Sequence, residues 1–183
     1  MSEIRRQTLG VLVDNTAGVL SQVSRLFSRK GYNIESLAVG TTDSADVSRI
    51  TIEVMADDGQ IKQLANQLRK LIPVHSVKIL TPESAIRREL VLIKVKAPAG
   101  SVRSEVMQIA NIFRASIIDV AVGSITLALI GDEEKIQALE DILKEFEILE
   151  LVRTGVVALE RGNETIYDET KVKGEFNYGK NVL

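Results

Sequence analysis

At 183 residues, with 45% hydrophobic side chains, the chain is long enough to fill one domain core or two small ones. A formal charge of -2 gives no basic footprint for a nucleic-acid backbone or an anionic membrane, so neither partner is expected. The absence of Cys excludes a disulfide frame, a thiolate nucleophile and a zinc–thiolate site, which suits a reducing cytoplasm. Met1 to Gln7 is polar, and no apolar stretch reaches the roughly 18 residues of a membrane span, so no signal or anchor is expected.

Thr8 to Val13 reads as a buried strand that stops at Asp14-Asn15. Val19, Leu20, Val23, Leu26 and Phe27 then recur at helical spacing, with Asn15 or Thr16 available as N-cap and Gly31 as the closing residue. Tyr32 to Thr41 and Val47 to Ala56 are extended runs joined by Thr42-Asp43-Ser44-Ala45-Asp46, the pattern of a hairpin. Ile61, Leu64, Leu68, Leu71 and Ile72 mark a second helix from about Asp57-Asp58 to Pro73, and Val74 to Leu80 extends again. The order is strand, helix, strand, strand, helix, strand.

Thr81 to Arg88, rich in charge with one Pro and one Ser, reads as a linker at a domain boundary. The pattern then restarts. Leu90 to Ala97 is a strand, and Val102, Val106, Ile109, Ala110 and Phe113 trace a helix after Pro98 to Ser101. Ile117 to Val122 and Ser124 to Ile130 are strands around Gly123. Ile136, Leu139, Ile142, Leu143 and Phe146 follow on a helix with Asp132, Glu133 and Glu134 in its first turn, where the dipole favours negative charge. Ile148 to Thr154 closes the set. Two βαββαβ copies are thus expected, over 1–80 and 89–162, with a polar tail from 163 to 183. This is an α+β chain of two ferredoxin-like domains, in which helices cover one sheet face and leave the other asking for a partner, such as a second copy of the chain.

Asp14-Asn15-Thr16-Ala17-Gly18 places a helix start, with its outward N–H groups, beside an Asn that both donates and accepts. A carboxylate would suit it, but the same residues make an ordinary turn and cap, and spacing alone favours the turn. Gly31-Tyr32-Asn33-Ile34 likewise reads locally as a helix end and a turn. Arg87, Arg88, Lys94 and Lys96 form a basic run flanked by Glu83 and Glu89, which reads as a solvated face. His75 is the only His, so no metal constellation is expected, and no Gly-rich phosphate motif precedes any helix. No nucleophile and base pair suggests a self-contained enzyme.

Several stretches together resemble the small subunit of acetolactate synthase. They are Leu12-Val13-Asp14-Asn15-Thr16-Ala17-Gly18-Val19-Leu20-Ser21, Leu26-Phe27-Ser28-Arg29-Lys30-Gly31-Tyr32-Asn33-Ile34-Glu35-Ser36-Leu37 and Ser48-Arg49-Ile50-Thr51 in the first half. In the second half they are Arg88 to Val95, Ile112-Phe113-Arg114-Ala115-Ser116-Ile117-Ile118-Asp119-Val120 and Arg153 to Ala158.

The resemblance implies a first domain that is an amino-acid-binding ACT module, and a second that supports dimerisation and subunit association. It implies no catalytic residue and no cofactor in this chain. The expected partner is the catalytic large subunit of acetolactate synthase, carrying thiamine diphosphate, Mg and FAD, which this chain would stimulate and place under feedback inhibition by valine or another branched-chain amino acid. The implied valine site lies at the interface of a homodimer: Asn15, Ala17, Gly18 and Val19 of one chain, Asn33 and Ile34 of the other. There the Gly18 and Val19 amides and Asn15 would hold the carboxylate, and Asn33 a polar end. The alternative expectation is a free-standing ACT sensor that regulates a different enzyme or a transcription factor.

Overall fold

The computed structural model describes residues 3–169. Residues 3–86 and 158–169 form one compact unit, and 87–157 a second.

In the first unit β1 (Arg5–Asp14), α1 (Val19–Lys30), β2 (Ile34–Thr41), β3 (Val47–Ala56), α2 (Asp58–Leu68) and β4 (Val74–Leu80) follow in chain order. The sheet order is β2-β3-β1-β4, with every neighbouring pair antiparallel. The apolar stripe of α1, Val19, Val23, Leu26 and Phe27, packs with Ile61, Leu64, Ala65 and Leu68 of α2 over Leu9, Val11, Ile50, Ile52 and Val54 of the sheet. Asp57 caps α2 through a reciprocal box with Gln60, which satisfies amides that would otherwise lack an acceptor. The helix stops at Leu68, short of Pro73. Ile72 is 97% exposed and takes no part in the apolar stripe, because the chain turns through Leu71 N–H to Leu68 O before β4.

The second unit repeats the topology with β5 (Ala85–Lys96), α3 (Ser101–Phe113), β6 (Ser116–Val120), β7 (Ser124–Gly131), α4 (Glu133–Leu143) and β8 (Ile148–Arg153), in the order β6-β7-β5-β8. Val91, Ile93, Val95, Ile125, Leu127 and Leu129 meet Val106, Ala110, Ile136, Leu139 and Leu143 in its core. Both units are ferredoxin-like βαββαβ folds. Within the expected linker, Thr81 to Ser84 turn and β5 begins at Ala85, so the boundary region is itself partly strand. Lys94 and Lys96 of the basic run pair with Glu150 and Glu147, at 3.6 and 2.6 Å.

The helix-free faces of the two sheets differ. That of the second carries Leu92 opposite Ala128 and Val152, and Leu90 opposite Ile130, with Ile130 65% and Val152 51% exposed. The corresponding face of the first sheet was expected to stand open and is instead covered by its own chain. Beyond the second unit, β9 (Val157–Glu160) pairs beside the start of β5, Arg161 N–H donates to Ser84 O at 2.8 Å, and a short 3-10 helix, Ile166–Glu169, packs on β4 and β1.

The physical reason lies in that face's side chains. Register places Thr8 opposite Glu53, Gly10 opposite Thr51 and Lys78, and Leu12 opposite Arg49 and Ser76. These are polar groups that a short polar segment can satisfy. Arg49 donates to Ala158 O at 2.6 Å, Ser76 Oγ to Ile166 O at 2.7 Å, and Lys78 Nζ to Thr165 O at 3.3 Å. Lys78 also pairs with Glu160 and with Glu164. Ile166, 4% exposed, sits over Gly10, where an added Cβ would come 3.1 Å from Ile166 Cδ1 and 3.1 Å from the Arg49 guanidinium. Burying such a side chain is worth about 1.5–3 kcal/mol, so Gly10 makes room for the anchor of the segment. Of the tail expected from 163, Ile166 is therefore buried among exposed neighbours, and the chain beyond 169 lies outside the described residues.

Candidate ligand-binding turn

The end of β1 is tied down on three sides. Asp14 N–H donates to Pro73 O and Asn15 N–H to Asp46 O, both at 2.8 Å, while Asp14 Oδ1 lies 2.7 Å from His75 Nε2. The sole His thus pairs with the residue that precedes the candidate turn. Thr16, Ala17 and Gly18 then lie exposed, and Val19 turns into the core.

Neither Asn15 nor Thr16 caps α1, contrary to expectation. The N-cap is Gly18 in the left-handed region at φ 87°, and no side chain bonds to the helix start. Asn15 is occupied elsewhere: Nδ2 donates to Ala45 O at 2.9 Å, and Oδ1 accepts from Ser48 Oγ at 3.0 Å. Its amide joins the turn to Ala45 of the β2–β3 loop and to Ser48 at the start of β3, competitors that lie 30 and 33 residues away in sequence. The first amide of α1, Val19 N–H, donates to Thr16 O at a long 3.4 Å, and no side chain caps the amides at the helix start. That arrangement suits a carboxylate.

Asn33 and Ile34 stand at the opposite end of the domain. Asn33 Nδ2 donates to Glu35 Oε1 at 2.8 Å, and Ile34, half-buried against the core, opens the edge strand β2. Asp14 is level with Val47 on β3, whereas Ile34 is level with Val54, seven residues along the same strand. At about 3.3 Å per residue the two ends are about 23 Å apart. One chain therefore does not bring Asn15, Ala17, Gly18 and Val19 together with Asn33 and Ile34.

Elsewhere the surface offers little chemistry. A hollow of about 280 Å³ in the second unit is lined by Arg87, Arg88 and Glu89 together with Asp132, Glu133 and Glu134, a mixture of opposite charges. Among the described residues no His, Asp and Glu group is arranged to hold a metal ion, and no helix is long and apolar enough to cross a membrane.

Two successive ferredoxin-like domains, the first with an exposed strand-to-helix turn, define the class by fold. Comparison with known proteins narrows the class. Residues 9–76 match the model of the AHAS small subunit-like ACT domain, and residues 88–162 that of the small subunit of acetolactate synthase. A probable acetolactate synthase small subunit of Archaeoglobus fulgidus is 48% identical over 159 residues, 87% of this chain and 99% of that protein. The acetolactate synthase small subunit of Mycobacterium leprae is 48% identical over 155 residues, 85% of this chain and 91% of that one. The crystal structure of the acetolactate synthase small subunit from Thermotoga maritima superposes with a TM-score of 0.82 at 36% identity, covering 88% of this chain and all of that one. The chain belongs to the acetolactate synthase small-subunit family.

Proposed function

We propose that the chain is a non-catalytic regulatory subunit, acting in the cytoplasm as a homodimer. It raises the activity of an acetolactate synthase large subunit and lowers it again when a branched-chain amino acid, valine first among them, binds between two ACT domains. Membership of the small-subunit family over both domains carries this reading. The large subunit would hold thiamine diphosphate, Mg and FAD and perform the chemistry.

The geometry supports a site shared between chains. Asn15, Ala17, Gly18 and Val19 lie about 23 Å along the strands from Asn33 and Ile34, so only a second chain supplies both halves at once. In that site the amides at the start of α1 receive the ligand carboxylate, Asn33 of the other chain receives a polar end, and Ile34 contributes apolar surface that measures the side chain. Titration of the mixed subunits with valine tests this. Inhibition to a plateau, with half-effect shared by no D-enantiomer, is the expected result. A subunit that stimulates but never responds to valine, leucine or isoleucine would remove the feedback half of the reading.

A further inference from the structure

The segment that covers the first sheet also touches the loop to which the candidate turn is tied. Tyr167 OH donates to Asp43 Oδ1 at 3.2 Å, and Asp43 lies in the Thr42–Asp46 loop that receives Asn15 N–H at Asp46 O and Asn15 Nδ2 at Ala45 O. A second route runs through β3. Arg49 holds Ala158 O on the covered face, and its neighbour Ser48 donates to Asn15 Oδ1. The segment is itself firmly seated by Ile166 over Gly10, by Ser76 on Ile166 O and by the Lys78 pair with Glu160. Thr165 N–H, donating to Asp168 at 2.6 Å, shapes the turn that presents Tyr167.

We infer that residues 158–168 are a latch that positions the Asp14–Gly18 turn, with Tyr167 as its positioning residue and Ile166 as its anchor. The latch holds the β2–β3 loop from one side while Asn15 holds it from the other, so loosening the latch frees the turn. Two discrete sets of hydrogen bonds and one buried side chain form a continuous physical connection between residues 158–168 and the turn. The latch thus makes the order of the turn depend on a segment that follows the second domain in sequence. Its consequence for feedback rests on the ligand site proposed above, but its mechanical part does not.

Hydrogen exchange in the full chain without ligand reads the mechanical part, and valine titration of the same proteins mixed with the large subunit reads the consequence. In Ile166→Asp the amide of Asn15 should exchange at least tenfold faster, while Leu9 and Val11, in the core of β1, stay as protected as before. Tyr167→Phe, which removes only the hydroxyl, should speed Asn15 exchange about two- to threefold and leave the exchange of the Thr165 amide unchanged. A chain ending at Asn163 serves where Ile166→Asp fails to fold and should match it. In all three, half-inhibition by valine should rise with the exchange rate, whereas stimulation at zero valine stays within about twofold. The latch is overturned if Asn15 exchange is unchanged in a folded Ile166→Asp protein or in the chain ending at Asn163 although Thr165 has lost protection in the former. Faster exchange with a wild type that ignores valine would uphold the latch and refute the ligand site instead.

Discussion

Ser48 donates its hydroxyl to Asn15 Oδ1 at 3.0 Å, and the other end of the same amide donates to Ala45 O at 2.9 Å. The residue that the turn would offer to a ligand is therefore first a structural joint. Asn15→Ala removes both bonds and leaves the buried Ser48 hydroxyl without that acceptor. With each of the two bonds worth about 0.5–1.5 kcal/mol net, the loss of stability should be about 1–3 kcal/mol by urea denaturation. Asn15→Asp keeps the acceptor for Ser48 and sets a carboxylate against Ala45 O, and it should weaken valine inhibition more than Asn15→Ala does.

Gly18→Asp should abolish inhibition by valine while sparing most of the stimulation. At φ 87° any L-residue is strained by roughly 1–2 kcal/mol, and a carboxylate there also repels the incoming one. Two unit charges about 4 Å apart repel by roughly 4 kcal/mol at an effective dielectric of about 20. Gly18→Ala carries the strain without the charge, and open space surrounds its Cβ position, so it should shift the inhibition curve far less. Equal curves for the two variants in a folded, stimulating protein would place the ligand elsewhere.

The distance between the two halves of the proposed site predicts complementation. Gly18→Asp and Asn33→Ala chains, each with weakened inhibition alone, should recover it when co-refolded. Roughly half of the dimers are then mixed, and each mixed dimer has one site with both wild-type halves. Recovery of about a quarter of the sites should appear as a partial, wild-type-affinity phase in valine binding. Its absence, with mixed dimers demonstrated by mass, would sink the shared site.

The latch has a predictable pH window. The Asp168 carboxyl is held below its usual value of 3.8, chiefly by the Thr165 backbone N–H. A lowered folded value gives stability that is complete above 3.8 and lost as the pH falls through the lowered value. The Lys78 ammonium is pushed above its usual 10.5 by its hydrogen bond to Glu160, against the opposing effect of burial. Its contribution is complete below 10.5 and lost as the pH rises through the higher value. The Thr165 amide resonance should therefore stay constant from about pH 5 to 9, moving below that range as Asp168 gains a proton and above it as Lys78 loses one. A midpoint between pH 5 and 9 would contradict the assigned pairs.

Much of this fold was legible because each core face repeats a local period. Val19, Val23, Leu26 and Phe27 on α1, and Ile61, Leu64 and Leu68 on α2, are all buried as their spacing predicts. The failures at Asn15 and in the latch originate in contacts distant along the chain, and that at Ile72 in a local turn. Ile72 fits the helical period but lies beyond the turn that ends α2. Asn15 has the chemistry of an N-cap, but Ala45 and Ser48 compete for it, and no local pattern announces them. The latch rests on single residues, Ile166 and Tyr167, in a polar stretch with no periodicity to mark them. Gly10 in the middle of an apolar strand was the one available signal, since such a glycine points to a close approach by another part of the chain. The site residues themselves came from resemblance, because their local pattern is that of any turn.

Acetolactate formation from pyruvate tests the central claim most directly, measured for the large subunit alone, for this chain alone, and for the two mixed with and without valine. The regulatory account predicts no turnover by this chain, a several-fold rise on mixing, and a fall toward the unmixed rate as valine saturates. Turnover by this chain alone, or a large subunit that neither speeds up on mixing nor responds to valine, would contradict it.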